Sequence, residues 1–516
     1  MRFIHDNKQI ILTFVILTLL LMIPLVITNI YEERDLNLVG WSRSVDPNEM
    51  AINKSTFSRV DDNGVNVYVA GNENTIKKLT IEPTTLDVKE QANIEVPSDP
   101  YYPYWVSPDD RTVIYLLKNK LYLLKDEENQ ILDENVEDLF VNENTILYQK
   151  DNEVFSLNTS DFSSSKLGAG DDLMTLSIDR QSPSYISMHE YGEIAGVEFI
   201  YHRWEEGQYK SSSVYIKDSF TLPVAEIEFS EFNNNLHLIY QTTSIKGGGK
   251  ARTNHYLSIP LNKEKSELMD TKLQVFTKSL TQIDTVSEFQ FYQVDDQLRL
   301  LFSGKGELKH SVTNTNLYIA SIQDERWIAN RLSTHYDPVI EPLTLSKTHS
   351  TWLSHDGDQY TVMAASTSPD VISESKNLTK NDLLRALEDS VTSLTSAFIM
   401  NLFAILLIIP PMIVVFISKF FEVENTKRAE IVAKVAFSLT TFLFVQKTLN
   451  VSFYSEAPDY LTFAGVNIFL PIAILFVSLA VERYSKRRDW EFEGRVFYFI
   501  GISVWITSLL IGPYII

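Results

Sequence analysis

Gln446 and Lys447 are adjacent polar residues inside an apolar segment, where an ionisable side chain is costly unless it serves binding or transfer. The pair is therefore the first candidate for an intramembrane polar site. Lys434, nearer the other end of the same segment, is expected to extend its ammonium to the interface instead. Elsewhere the residue types that do chemistry fail to assemble. His189-Glu190-Tyr191-Gly192-Glu193 lacks the second His that a helical zinc site requires. No G-x-S-x-G elbow, P-loop or D-x-[DN]-x-[DN]-G calcium loop occurs. Nine histidines are scattered singly and cysteine is absent, which removes thiolate nucleophiles, thiolate metal sites and disulfides. No catalytic, cofactor-binding or metal-binding residue is expected, and enzymatic activity is not. A hydrolase reading would need Asp, Glu and His side chains converging in a funnel. Gly247-Gly248-Gly249, flanked by Lys246, Lys250 and Arg252, reads as a hairpin loop whose basic rim could dock a partner.

Two further segments match each other. Trp105-Val106-Ser107-Pro108-Asp109-Asp110 and Trp352-Leu353-Ser354-His355-Asp356-Gly357 share Trp, Ser and Asp at identical spacing, and each leads into an apolar run. The first resembles the W-x-S-P-D-G signature of TolB-type, WD40-like β-propeller repeats. That resemblance implies an Asp-Gly turn reversing the chain and a Trp packed between blades. Asp110 stands where the signature has Gly, and His355 where it has Pro. It implies a fold and leaves function open.

The elements that must position these residues read as β from about residue 31 to 375. Val65-Asn66-Val67-Tyr68-Val69, Thr112-Val113-Ile114-Tyr115-Leu116, Val197-Glu198-Phe199-Ile200-Tyr201 and Leu298-Arg299-Leu300-Leu301-Phe302 are β-branched or aromatic runs, each following a polar turn. Turns beginning at Asp61, Asp109, Asn142, Tyr191, Asn233, Asp295 and Asp356 recur about every 49 residues, close to the period of a four-stranded blade. The expected fold is an all-β, propeller-like domain of about seven blades, with a two-domain β-sandwich as the alternative.

Five apolar segments bracket that domain: 10–30, 397–420, 431–450, 461–481 and 496–516, each near the roughly 20 residues needed to cross a hydrocarbon core. An amphipathic juxtamembrane helix is expected over 376–396, opened by Thr379 and Asp382 as a capping box and carrying Leu383, Leu384, Leu387, Val391 and Leu394 on one face. Pro410-Pro411 is expected to break the second segment near its middle. Residues 10–30 read as an uncleaved anchor, because the apolar run is too long for a signal peptide and no A-x-A-like site follows.

Arg2 and Lys8, then Lys419, Lys427 and Arg428, then Arg483, Lys486, Arg487, Arg488 and Arg495 flank alternate segments, whereas 451–460 has no Lys or Arg. Basic residues are retained inside, so residues 1–9 are expected in the cytoplasm, the large domain outside and the C-terminus at the outer face of a bacterial plasma membrane. The net charge of −22 falls entirely on the central stretch, which keeps it soluble and excludes nucleic acid as a partner. The expected partners are the bilayer and an envelope or membrane protein, with an ABC ATPase under the alternative that the chain is a permease-like or accessory subunit of an export system. The leading expectation is an ectodomain for recognition or sensing.

Overall fold

The computed structural model describes residues 8–514 apart from 35–39, 48–49, 62–63, 73, 98–102, 170–172, 192–195, 218–223, 247–248, 262–269, 279, 310–311, 325, 404, 424, 450–452, 455–456 and 486–490. The chain divides into one unit of residues 36–377 and a second made of 1–35 with 378–516.

Residues 36–377 form a seven-bladed β-propeller. Six blades are four-stranded and the sixth has five strands, its outermost strand Val275–Thr277 pairing parallel to Arg326–Arg331. Blades one to six occupy 56–95, 104–134, 136–169, 173–217, 224–272 and 275–331 in order. The seventh takes its three inner strands from 339–366 and its outermost strand from Met50–Ala51, which pairs with Thr361 and Tyr360. Chain start and chain end of the unit thus share one sheet, a closure that removes the open edge of the ring. Ser42 reinforces it: its N–H donates to Ser366 O at 2.7 Å and its hydroxyl accepts from the Ser366 N–H at 3.0 Å.

Each of the four apolar runs anticipated from sequence is a strand: Gly64–Gly71, Thr112–Leu117, Gly196–Glu205 and Gln297–Lys309. Two-residue hairpins join many neighbours, with both turn residues at positive φ, as in Asn233 (51°) and Asn234 (59°) or Asp295 and Asp296 (52° each). Asn and Asp tolerate this left-handed geometry, and its twist matches that of the flanking strands. Where the first hairpin of a blade is longer, a short polar side chain caps it. Asn142 Oδ1 accepts from the backbone of Asn144 and Thr145, and Ser346 Oγ from that of Thr348 and His349.

The seven turns read from sequence do not all fall at equivalent places. Those at Asp61, Asp109, Asn142, Asn233 and Asp295 join the first and second strands of a blade. Tyr191 and Asp356 instead border second hairpins, in blades four and seven, whose first hairpins lie at Asp179 and Ser346. Asp62, Asn63, Gly192, Glu193, Gly247 and Gly248 lie outside the described residues.

The other unit is helical. Its elements are α1 (Lys8–Arg34), α3 (Lys380–Phe403), α4 (Ile405–Phe420), α5 (Thr426–Thr448), the single turn α6 (Asp459–Thr462), α7 (Val466–Ser485) and α8 (Phe492–Ile511); the short helix α2 (Pro369–Ser375) belongs to the propeller unit. Among the described residues four helices are long and apolar enough to cross a membrane, or five when α3 and α4 count as one span bent by 41°. Thr379 and Asp382 form the anticipated cap, the Thr379 N–H and hydroxyl donating to Asp382 Oδ2 at 2.8 and 2.9 Å.

The boundaries differ from expectation in three ways. The juxtamembrane helix does not stop before 397, because no Gly or Pro interrupts 380–403 and α3 runs on. Pro410 and Pro411 lie inside α4 rather than at its break. The third C-terminal apolar helix begins at Val466, after Gly465 adopts φ 89°, a conformation that only glycine takes at no steric cost. Phe437, fully buried on α5, meets Phe499 of α8 edge to face at 5.7 Å in the bundle core. Leu383, Leu384, Leu387 and Val391, the apolar face anticipated from sequence, are exposed on α3.

Candidate functional site: the propeller channel

A channel of about 1230 Å³ runs through the propeller, lined by the innermost strands of six blades. Alternation along a strand sends residues i and i+2 to one face, so Glu226 and Glu228 on Val224–Phe232 both reach its wall. Glu341 comes from Val339–Leu345 in blade seven and Glu288 from Asp284–Val294 in blade six. Glu288 sits at φ 53° within the second of two register shifts in its strand, the one between Ser287 and Gln290. Such bulges bend a strand and re-aim a side chain.

Arg180 enters from the first hairpin of blade four. Asp179 Oδ1 caps that turn, accepting from the N–H groups of Gln181 (2.8 Å) and Ser182 (3.0 Å). The Arg180 Nε then lies 3.5 Å from Glu228 Oε1, with 39 % of the arginine side chain open to the channel. Glu228 also accepts from Phe291 N–H at 3.1 Å, and Glu226 from Phe289 N–H at 3.0 Å. Gln290 and Tyr292 tie the walls of blades six and seven together: Gln290 Nε2 donates to Pro342 O, and the Tyr292 hydroxyl donates to Gln290 Oε1 and Leu343 O.

Crowding carboxylates in a confined space raises their proton affinity. Burial, then the nearby Glu288, pushes the Glu226 carboxyl up to about 7. Burial pushes Glu228 up to about 8 against the pull of Arg180. Burial and Glu288 bring Glu341 to about 7. The described lining contains no histidine, and among the described residues no group of three His, Cys, Asp or Glu side chains could hold a metal ion. The arrangement suits electrostatic recognition of charged groups.

The repeat residues are structural neighbours of this channel without converging on it. Trp105 is buried on the innermost strand of blade two, and its Nε1 donates to Glu143 O at 3.2 Å beneath the guanidinium of Arg59. Ser107 and Asp109 close the following turn, Ser107 Oγ donating to Asp109 Oδ1 and accepting from Thr112 N–H at 2.9 Å. Trp352 and Ser354 are wholly buried on the second strand of blade seven, and Trp352 shares a core cluster with Tyr292 and Leu301 of blade six. Asp356 Oδ1 caps the second hairpin of that blade, with Gly357 at φ 108°. The two matching segments therefore occupy different hairpins. Both tryptophans pack between blades.

In the helical unit Gln446 joins α5 to α7, its amide nitrogen donating to Asn467 O while its oxygen accepts from Asn467 Nδ2 at 3.3 Å. Lys447 is exposed beside it. Lys434 does not extend away from the bundle. It bonds Glu430 Oε1 at 2.7 Å and lies 3.3 Å from Glu482 Oε2 on α7, while Arg495 of α8 reaches Glu430 Oε2 at 3.1 Å. A carboxylate on its own helix and one on α7 outweigh the interface for this ammonium, and no single segment reveals the second. Arg2, Lys486, Arg487 and Arg488 lie outside the described residues.

No protein-family model matches the chain, and no curated protein does. Solved structures that resemble it include the N-terminal domain of Nup159 (11% identity, TM-score 0.38, 64% of this chain and 95% of that one). The WD40 domain of SCAP from fission yeast matches at 9% identity and TM-score 0.33, over 64% of this chain and 99% of that chain. An oligogalacturonate lyase from Vibrio parahaemolyticus matches at 10% and 0.39, over 62% and 93%. The strand order, rather than these likenesses, establishes the propeller here.

Proposed function

We propose that the chain is a multi-pass protein of a bacterial plasma membrane that presents its propeller outside the cytoplasm as a recognition or sensing module, with the channel as its binding surface. The observation that carries this reading is the ring-closed propeller with charged groups from four blades facing one cavity. Supporting it are the apolar helices at both ends of the chain and the basic residues beside alternate segments. The reading assigns no chemical step to the site. Crosslinking in native membranes, mild-detergent purification and mass spectrometry test it. Envelope proteins recovered only when residues 36–377 are intact are the predicted result; recovery unaffected by loss of the propeller contradicts it.

A second reading draws on the Glu430–Lys434–Glu482–Arg495 network, since buried charges within a helical bundle accompany bundles that move or transport. Under it the chain is an accessory or permease-like subunit of an ABC-type exporter. A stoichiometric ATPase in the same purification would favour it.

A further inference from the structure

Pro471 lies inside α7, on its buried face. Proline has no N–H, so the carbonyl four residues earlier, Asn467 O, loses its helical donor. The Gln446 amide of α5 takes that place, donating to Asn467 O while its oxygen accepts from Asn467 Nδ2 at 3.3 Å. The first turn of α7 is thereby pinned to α5, and the helix beyond it is short of one hydrogen bond at the kind of residue where helices bend. Past the proline the two helices are joined at Glu482, whose Oε2 lies 3.3 Å from Lys434 Nζ. That ammonium has a closer partner on its own helix, Glu430 at 2.7 Å, which Arg495 of α8 also holds at 3.1 Å. Lys434 can therefore release Glu482 without being left unpaired, and Glu482, in the last turn of α7, regains water when released. Ser478 stands one turn before Glu482 on the same face, wholly buried, and donates within its own helix to Ile474 O. On the buried face of α5, between Lys434 and Gln446, the Thr441 hydroxyl is 1 % exposed with no hydrogen-bond partner among the described residues. A dry, unpaired hydroxyl is a cost that entering water removes.

We propose that residues 472–485 of α7 are a gate, hinged at Pro471 and latched by Glu482 on Lys434. When the latch parts, this half of the helix swings away from α5 and water enters as far as Ser478, while the Gln446–Asn467 clasp keeps the other half in place. Hinged motion of this kind needs a few residues that absorb the bend and contacts that both positions can satisfy. Pro471 supplies the first, and the two partners of Lys434 supply the second. The gate is a property of the helical bundle alone and rests on neither reading of the propeller.

Because the chain has no cysteine, single thiols report the movement. Ser478→Cys and, separately, Ser390→Cys are introduced into the full-length protein, and the rate of reaction with a water-soluble maleimide in detergent is followed by mass spectrometry. Ser390 is equally buried but belongs to a different helix pair, on α3 with its hydroxyl accepting from Asn29 of α1. Glu482→Gln, which leaves Lys434 its Glu430 partner, should speed labelling of Ser478→Cys at least ten-fold and leave Ser390→Cys unchanged. Adding Pro471→Ala, which returns the missing N–H to α7, should bring the rate back toward that of the parent. Equal labelling of Ser478→Cys with and without Glu482→Gln overturns the proposal. Parallel acceleration at Ser390→Cys also overturns it, since the bundle would then have loosened as a whole. Acceleration that survives Pro471→Ala in full places the movement away from the proline and overturns the hinge.

Discussion

Arg180 and Glu228 meet in the propeller channel with 3.5 Å between Nε and Oε1, one from a hairpin of blade four and the other from the innermost strand of blade five. Glu228 is 7 % exposed, so the arginine is its principal counter-charge in a place where a lone carboxylate is costly. Arg180→Gln should therefore destabilise the propeller by about 1–3 kcal/mol when Glu228 is ionised, and much less when it is protonated. Thermal unfolding at pH 8.5 and pH 5.5 reads the difference. An equal loss at both values would show that the pair contributes packing alone.

The raised carboxyls give the whole propeller a pH signature. Glu226, Glu228 and Glu341 hold protons in the folded state up to about 7, 8 and 7, above the ordinary glutamate value. Between pH 5 and 8 the folded state then binds more protons than the unfolded one, so stability falls as pH rises. Below that window the sign reverses, because Asp109 and Asp356, held low by hydrogen bonds from Ser107 and from the backbone of Gln359, lose their contribution on protonation. Unfolding temperature measured from pH 4 to 9 should peak near pH 5, and the Glu228→Gln variant should flatten the alkaline limb. A midpoint that climbs between pH 6 and 8 is the contrary outcome.

Asp110 adopts φ 62° where the resembling repeat has glycine. Its carboxylate accepts from the Tyr68 hydroxyl at 2.7 Å and from Lys78 Nζ at 2.6 Å, linking blades one and two. Asp110→Gly restores the permissive residue but leaves Lys78, which is 8 % exposed, with only the longer contact to Glu90 at 3.5 Å. The expected net effect is a loss of about 1–3 kcal/mol, with Asp110→Ala lower still because alanine adopts that φ poorly. Denaturant titration followed by tryptophan fluorescence orders the two variants against the parent.

The sequence disclosed what is periodic or local. Apolar segments of spanning length and β-branched runs after polar turns identified a seven-bladed propeller and the membrane-type helices, and Thr379 with Asp382 marked a helix start. The matched Trp-x-Ser-x-Asp segments misaligned because an Asp-capped turn serves a first hairpin at Asp109 and a second at Asp356. The channel stayed hidden: Arg180, Glu226, Glu288 and Glu341 come from four blades, and Glu226-Ile227-Glu228 has the alternation of any half-exposed strand. An E-x-E pattern on the innermost strand of a blade is the one signal that could have pointed there.

In the helical unit, Lys434→Met removes the ammonium that stands between Glu430 and Glu482, whose side chains are 15 % and 8 % exposed. Leaving a buried charge unpaired costs about 3–5 kcal/mol. The double variant Lys434→Met with Glu482→Met should recover much of the loss. Thermal aggregation in detergent, arranged as a double-mutant cycle, gives the coupling. Additive losses would show that the two residues act independently.

The absence of cysteine from all 516 residues makes the sidedness of the propeller directly measurable. Ser160→Cys places one thiol on an exposed propeller turn and Thr426→Cys one at the start of α5, on the side predicted to be cytoplasmic. A membrane-impermeant maleimide applied to intact cells should label Ser160→Cys at once and Thr426→Cys only after permeabilisation. Labelling in the opposite order would put the propeller in the cytoplasm and contradict the proposal that it is an ectodomain.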